Sequence, residues 1–164
     1  MQWIEDRDAF LPFGAQTAHH IDSHDTFWWP QWGKKWRREQ FGVDKVRALA
    51  CTFLALDGPY MMFTGGEEGI EQELRLLNGL RRDRPELWQT PARFDDQSDA
   101  SGDLFIAARE SGAERLVVVV NITGESSRAV PPEYGDEGWV VLGSSGYASG
   151  QLQPDGYLVA VRAA

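Results

Sequence analysis

The sequence is poor in cysteine, in positive charge and in long apolar runs, and each shortage removes a class of protein. Its 164 residues include 1 cysteine, Cys51, which excludes an internal disulfide and any all-cysteine metal site. Lys and Arg number 16 against 25 Asp and Glu, a net charge of −9. A surface that acidic repels phosphate backbones and anionic lipid, so neither nucleic acid nor a membrane surface is an expected partner. No apolar stretch reaches the roughly 18 residues that span a bilayer. Residues 1–6 carry neither the basic flank nor the apolar run of a secretory leader, so the expectation is a cytoplasmic rather than a secreted chain. Aromatic side chains, by contrast, are abundant: 7 Trp, 8 Phe and 4 Tyr. With 42% hydrophobic and 25% charged residues the chain has the means to bury a core, in one domain or two small ones.

The pattern changes near residue 90. Residues 16–22 read as a short strand ending at Ser23-His24-Asp25, followed by an aromatic loop, Phe27-Trp28-Trp29-Pro30-Gln31-Trp32. A helix then starts at Asp44 as N-cap, with Val46, Leu49, Ala50, Phe53 and Leu54 at helical spacing, and stops at Asp57-Gly58-Pro59. Residues 60–64 have strand length and are bounded by Gly65-Gly66. Glu67 and Glu68 fall where a helix N-terminus favours negative charge, and Ile70, Leu74, Leu77 and Leu80 form that helix's apolar stripe up to Arg84-Pro85. Strand, helix, strand, helix implies parallel strands with crossover helices. After residue 90 the expectation is all β. Strands at 104–109 and 115–120 flank a hairpin connection, and others lie at 139–142 and 157–161. Pro131-Pro132 and the Gly/Ser run 143–150 read as loops. Strands at this spacing predict a small antiparallel sandwich that closes its own core.

Two motifs carry chemistry. Ser23-His24-Asp25 ends the first strand, and Gly65-Gly66-Glu67-Glu68-Gly69 follows the second. Together they resemble glycoside hydrolase family 13, the alpha-amylase family, whose seventh barrel strand ends in Asn/Ser-His-Asp and whose eighth precedes Gly-Asp/Glu-Glu-x-Gly. The resemblance continues through residues 76–87, which look like the family's last barrel helix. It extends to Val118-Val119-Val120-Asn121 and Leu152-Gln153-Pro154-Asp155-Gly156-Tyr157, which are similar to strands of its C-terminal domain. The fold this implies is α/β followed by all-β. Residues 1–92 would be the last two strand–helix units of a (β/α)8 TIM barrel, and residues 93–164 a C-terminal antiparallel β-sandwich. A complete barrel takes about 250 residues.

The resemblance implies an α-linked saccharide ligand and no cofactor or metal. Asp25 would stabilise the oxocarbenium-like transition state, with His24 bonding the same sugar, Trp28 and Trp29 as stacking surfaces, and Glu68 as a structural anchor. A retaining glycosidase needs a nucleophile and a general acid about 5–5.5 Å apart. In the family these lie on the fourth and fifth strands, outside the matching region, so the expectation is a fragment that is inactive alone. The alternatives are a non-catalytic carbohydrate-binding or scaffolding protein, and a subunit completed by a separate chain carrying the rest of the barrel. Plainer readings stand beside these. Asp25 also reads as a cap of the helix or loop that follows, the two glutamates as charges that satisfy a helix dipole, and tryptophans often only cover loops. His20 and His24, with Asp22 between them, hint at metal, but no further ligand pattern accompanies them. Asn121-Ile122-Thr123 has the form of a glycosylation sequon. A quarter-barrel also leaves strand edges at 17–22 and 60–64 open to self-association or to the missing barrel part.

Overall fold

The computed structural model of the chain describes residues 10–28, 34–95, 103–135 and 137–164. Among the described residues its second half is one antiparallel sheet of six strands: β1 (Arg93–Phe94), β2 (Leu104–Glu110), β3 (Glu114–Asn121), β4 (Arg128–Ala129), β5 (Val140–Ala148) and β6 (Gln151–Ala163). The order is β1-β2-β3-β6-β4, with β5 along the other side of β6. The expected hairpin forms, with Phe105 opposite Val120 and Ala108 opposite Val117. Its turn is tied by the Ser111 hydroxyl, which accepts the N–H of Ala113 and of Glu114.

Residues 143–148 are not a loop but the second half of β5. The strand turns back through Ser149 and Gly150, both at positive φ, into β6. That is the two-residue turn whose twist matches a hairpin. Register shifts on either side of Leu142 and of Gly146 absorb the irregular residues. Leu76 packs closely on Gly143: a Cβ there would stand 2.5 Å from the Leu76 Cδ2, which would have to shift.

The first half is helical. It comprises α1 (His24–Trp28), α2 (Arg37–Phe41), α3 (Val43–Ala55), α4 (Glu71–Asp83) and a 3-10 turn at Pro85–Trp88, with a short α5 (Pro132–Gly135) later inside the sheet region. Gly42, not Asp44, takes the N-cap position of α3, which leaves Asp44 in its first turn. Among the described residues no helix is long and apolar enough to cross a membrane.

The sheet is buried on both faces, which explains the unbroken run Val117-Val118-Val119-Val120. One face presents Ile106, Val117, Val119, Leu158 and Ala160 to Val130, Tyr134 and Leu152. The opposite face presents Phe105, Leu116, Val118, Val120, Tyr157 and Val159 to helical residues including Val46, Ala50, Leu54 and Leu77. The expected sandwich is therefore a single sheet, and the second layer of its core is made by helices. Alternation along a strand marks which side chains are buried, not what buries them.

Polar bonds stitch this seam. The buried Arg109 guanidinium on β2 donates to Ala55 O at 3.0 Å and Thr90 O at 3.1 Å, and pairs with Asp57 at 2.6 Å. Arg81 on α4 donates to Leu54 O at 2.6 Å, Leu56 O at 2.8 Å and Gly58 O at 3.2 Å. Two cations thus satisfy the last carbonyls of α3, where the helix dipole also favours them. Tyr157 on β6 donates to the buried Glu73 of α4 at 2.7 Å, and Lys45 on α3 pairs with Asp155 at 2.8 Å.

Two sequence features become inert in this setting. Cys51 is fully buried, and burial pushes its thiol well up. Asn121 is also fully buried, its amide donating to the carbonyls of Ser126, Leu152 and Gln153. The folded chain therefore does not present this sequon for glycosylation.

Replacing Arg109 by methionine should cost about 3 kcal/mol, because it strands buried carbonyls and one carboxylate, Asp57, that is only partly solvated. Urea unfolding measures it, with Arg82→Ala, which removes an exposed pair to Asp83, as a control that leaves the midpoint unchanged.

Candidate functional site

The two motif-bearing segments meet at one point. The His19 N–H donates to Pro59 O at 2.9 Å and the Met61 N–H to His19 O at 2.7 Å, which makes an isolated parallel bridge between His19 and Tyr60. The direction is the expected one, but neither 16–22 nor 60–64 extends into a regular strand. A lone pair of strands is marginal without further neighbours. Met61 and Met62 are both exposed beside this bridge.

Directly after the first segment the chain turns into α1. Ser23 caps it: the Ser23 hydroxyl accepts the Thr26 N–H at 3.2 Å, and the Ser23 N–H donates to the Thr26 hydroxyl at 2.8 Å. His24 and Asp25 therefore occupy the first turn of a five-residue helix that buries none of its residues. Their side chains lie 3.1 Å apart, 76% and 77% exposed. Trp28 ends the helix, 56% exposed, with the Lys34 ammonium 4.6 Å from its ring centroid. Trp29 and Trp32 lie outside the described residues.

Phe27, Trp36 and Phe63 form a cluster that fastens α1 to the second segment, with ring centroids 4.5 Å apart for Phe27–Trp36 and 5.6 Å for Trp36–Phe63. Below them Asp22 is buried, and its carboxylate accepts the Arg37 N–H at 3.0 Å. Burial pushes the Asp22 carboxyl above its ordinary value, against the pull of the Arg37 amide and of the Arg37 and Arg38 charges. Burial, with Asp22 nearby, likewise raises the Tyr60 phenol well above its usual range.

The glutamates sit differently from expectation. α4 begins at Glu71, so Glu67 and Glu68 belong to the turn before it. Glu67 accepts the Gly65 N–H at 2.7 Å. Glu68 pairs with Arg38 at 2.6 Å, and Arg38 also donates to Gly65 O at 2.8 Å. Arg37 and Arg38 were not singled out in the sequence, and Asp22 entered only as the acid between His20 and His24. Their only signal was their charge, and their partners are far along the chain.

Among the described residues no group of three or more His, Cys, Asp or Glu is placed to hold a metal ion. A cleft of about 280 Å³ beside Trp88, lined by Gln16, Thr17, Asp57 and Thr90 among others, contains neither His24 nor Asp25. Chemically, His24 and Asp25 offer an exposed carboxylate and imidazole able to bond hydroxyl groups. By themselves they do not make the nucleophile–acid pair of a retaining glycosidase.

No protein-family model and no curated protein sequence matches the chain. Solved structures do. An AmyP variant in complex with maltotriose superposes with a TM-score of 0.68 at 14% identity, covering 98% of this chain and 44% of that one. An Anoxybacillus alpha-amylase gives a TM-score of 0.66 at 16% identity, over 99% of this chain and 41% of that one. The trehalose-6-phosphate hydrolase of Bacillus licheniformis gives 0.66 at 13% identity, over 92% and 44%. The chain has the fold of a portion of these alpha-amylase-type enzymes and spans less than half the length of each.

The turn that holds Glu67 and Glu68 depends on Gly66, where a Cβ would stand 2.9 Å from Phe63 O and 3.6 Å from the Asp22 Cβ. Gly66→Ala should therefore destabilise the chain by about 1–3 kcal/mol, read from the thermal midpoint.

Proposed function

We propose that the chain is the C-terminal portion of an alpha-amylase-type glycoside hydrolase that acts on α-glucosidic bonds of starch- or glycogen-like saccharides. Residues 1–92 are the last two strand–helix units of its catalytic (β/α)8 barrel, and residues 93–164 its C-terminal β domain. Asp25 stabilises the transition state, and His24, Trp28 and Trp29 bind the sugar. Glu68 anchors the turn after the second segment through Arg38.

One observation carries this reading: nearly the whole chain superposes on less than half of an Anoxybacillus alpha-amylase and of an AmyP variant in complex with maltotriose. Two local features support it. The bridge between His19 and Tyr60 is parallel, as barrel neighbours are, and Met61 and Met62 are left uncovered where further strands would pack. His24 and Asp25 follow the C-terminal end of the first of these segments, the side on which barrel enzymes place their chemistry.

On this reading the nucleophile and the general acid lie outside these 164 residues. The expected result is no turnover of a chromogenic α-glucoside or of starch by the purified chain. Maltotriose should quench tryptophan fluorescence with a dissociation constant on the order of millimolar. Turnover that Asp25→Asn abolishes would contradict the missing pair, and no spectral change at concentrations on the order of tens of millimolar would contradict a retained sugar surface.

A further inference from the structure

We propose that Asp22 is a positioning residue for this sugar surface: its buried carboxylate clasps the first amide of α2 and so fixes the helix that carries His24 and Asp25. The inference rests on the saccharide reading above, and it names the residue on which the geometry of that site depends.

The need for such a residue follows from α1 itself. Five residues are too few to hold a helix, and α1 buries none of them. A carboxylate that must meet a particular hydroxyl has to be held within about half an ångström. The orientation of Asp25 therefore comes from what is anchored at the two ends of its segment. Upstream, Ser23 caps α1, and Asp22, the residue before it, is buried at 5% exposure. Downstream, the chain returns to Asp22 at Arg37, 15 positions on, and the Arg37 N–H closes the excursion at 3.0 Å.

Asp22 also faces the second motif. Gly66 packs within 3.6 Å of its Cβ, measured from where a Cβ on that glycine would stand. Arg38, next to Arg37, donates to Gly65 O and pairs with Glu68. The first motif, α2 and the glycine turn thus meet at one residue, Asp22, whose carboxylate holds α2 and whose Cβ packs on Gly66. Substituting the acceptor or the donor separately isolates the bond. Asp22→Asn keeps an acceptor oxygen. Arg37→Pro deletes the donor at the first residue of α2, a position that tolerates proline, after Trp36 at φ −62 and ψ 151, which a following proline also accepts. Arg37→Ala keeps the N–H.

Amide exchange at Arg37 and maltotriose titration by tryptophan fluorescence test the clasp. In Asp22→Ala, exchange at Arg37 should accelerate at least about tenfold and maltotriose affinity should fall about tenfold, with far-UV circular dichroism retained; Asp22→Asn should restore both. Arg37→Pro should reproduce the affinity loss and Arg37→Ala should not. Unchanged Arg37 exchange in Asp22→Ala, or equal losses in the two Arg37 variants, would overturn the proposal. Should Asp22→Ala fail to fold, the Asp22→Asn and Arg37 variants decide it. If the unaltered chain binds no maltotriose, the saccharide reading fails, whereas the exchange at Arg37 still reports on the clasp.

Discussion

The ion pair between Arg109 and Asp57 is the constraint on which the two halves of this protein depend. It joins residues 52 positions apart, and the guanidinium reaches three further carbonyls, of Ala55, Leu87 and Thr90. The other Asp57 oxygen accepts the Ala92 N–H at 3.1 Å, just ahead of β1. A single carboxylate and a single guanidinium therefore fix the end of α3, the 3-10 turn and the entry to the sheet in one place. Burying a charge is costly unless its bonds are complete, and here the donors of Arg109 are matched by acceptors on every side. Trp88 lies beside both Arg109 and Arg81, 4.9 Å and 5.6 Å from their guanidinium carbons. Around this knot the apolar seam closes, with Leu54 and Leu77 against Val118 and Val159.

That rigid seam contrasts with the segment that follows the first motif. α3, α4 and the sheet share buried side chains, whereas α1 is held by a cap, three aromatic rings and the Asp22–Arg37 bond. Exposed, adjustable groups on a firmly held base are what a ligand-binding surface needs. Met61 and Met62, beside the His19–Tyr60 bridge, are exposed as well.

Much of this was legible locally. The spacing of Val46, Ala50 and Leu54 marked α3 and the face it buries, and Arg84-Pro85 marked where α4 ends. The parallel direction of the two motif segments followed from strands alternating with helices. What escaped was non-local. Gly143 and Gly146 read as loop residues because composition does not reveal that β6 pairs with them or that Leu76 packs on one. The single sheet was taken for a sandwich because short strands at close spacing predict two packed sheets and do not reveal that helices cover one face. Asp22 was read only as the acid between His20 and His24, and its partner lies 15 residues away. Ser23 and Thr26 were close enough to be read as a cap, yet the aromatic run beside them suggested a loop.

The central claim is that helices and sheet form one cooperative unit because each supplies half of the same core. Native-state hydrogen exchange in rising urea tests it at individual amides. The account predicts that Leu54 and Leu77 in the helices and Val118 and Val159 in the sheet converge on one opening free energy and are released together. Sheet amides that stay protected in urea that has already freed α3 and α4 would contradict it.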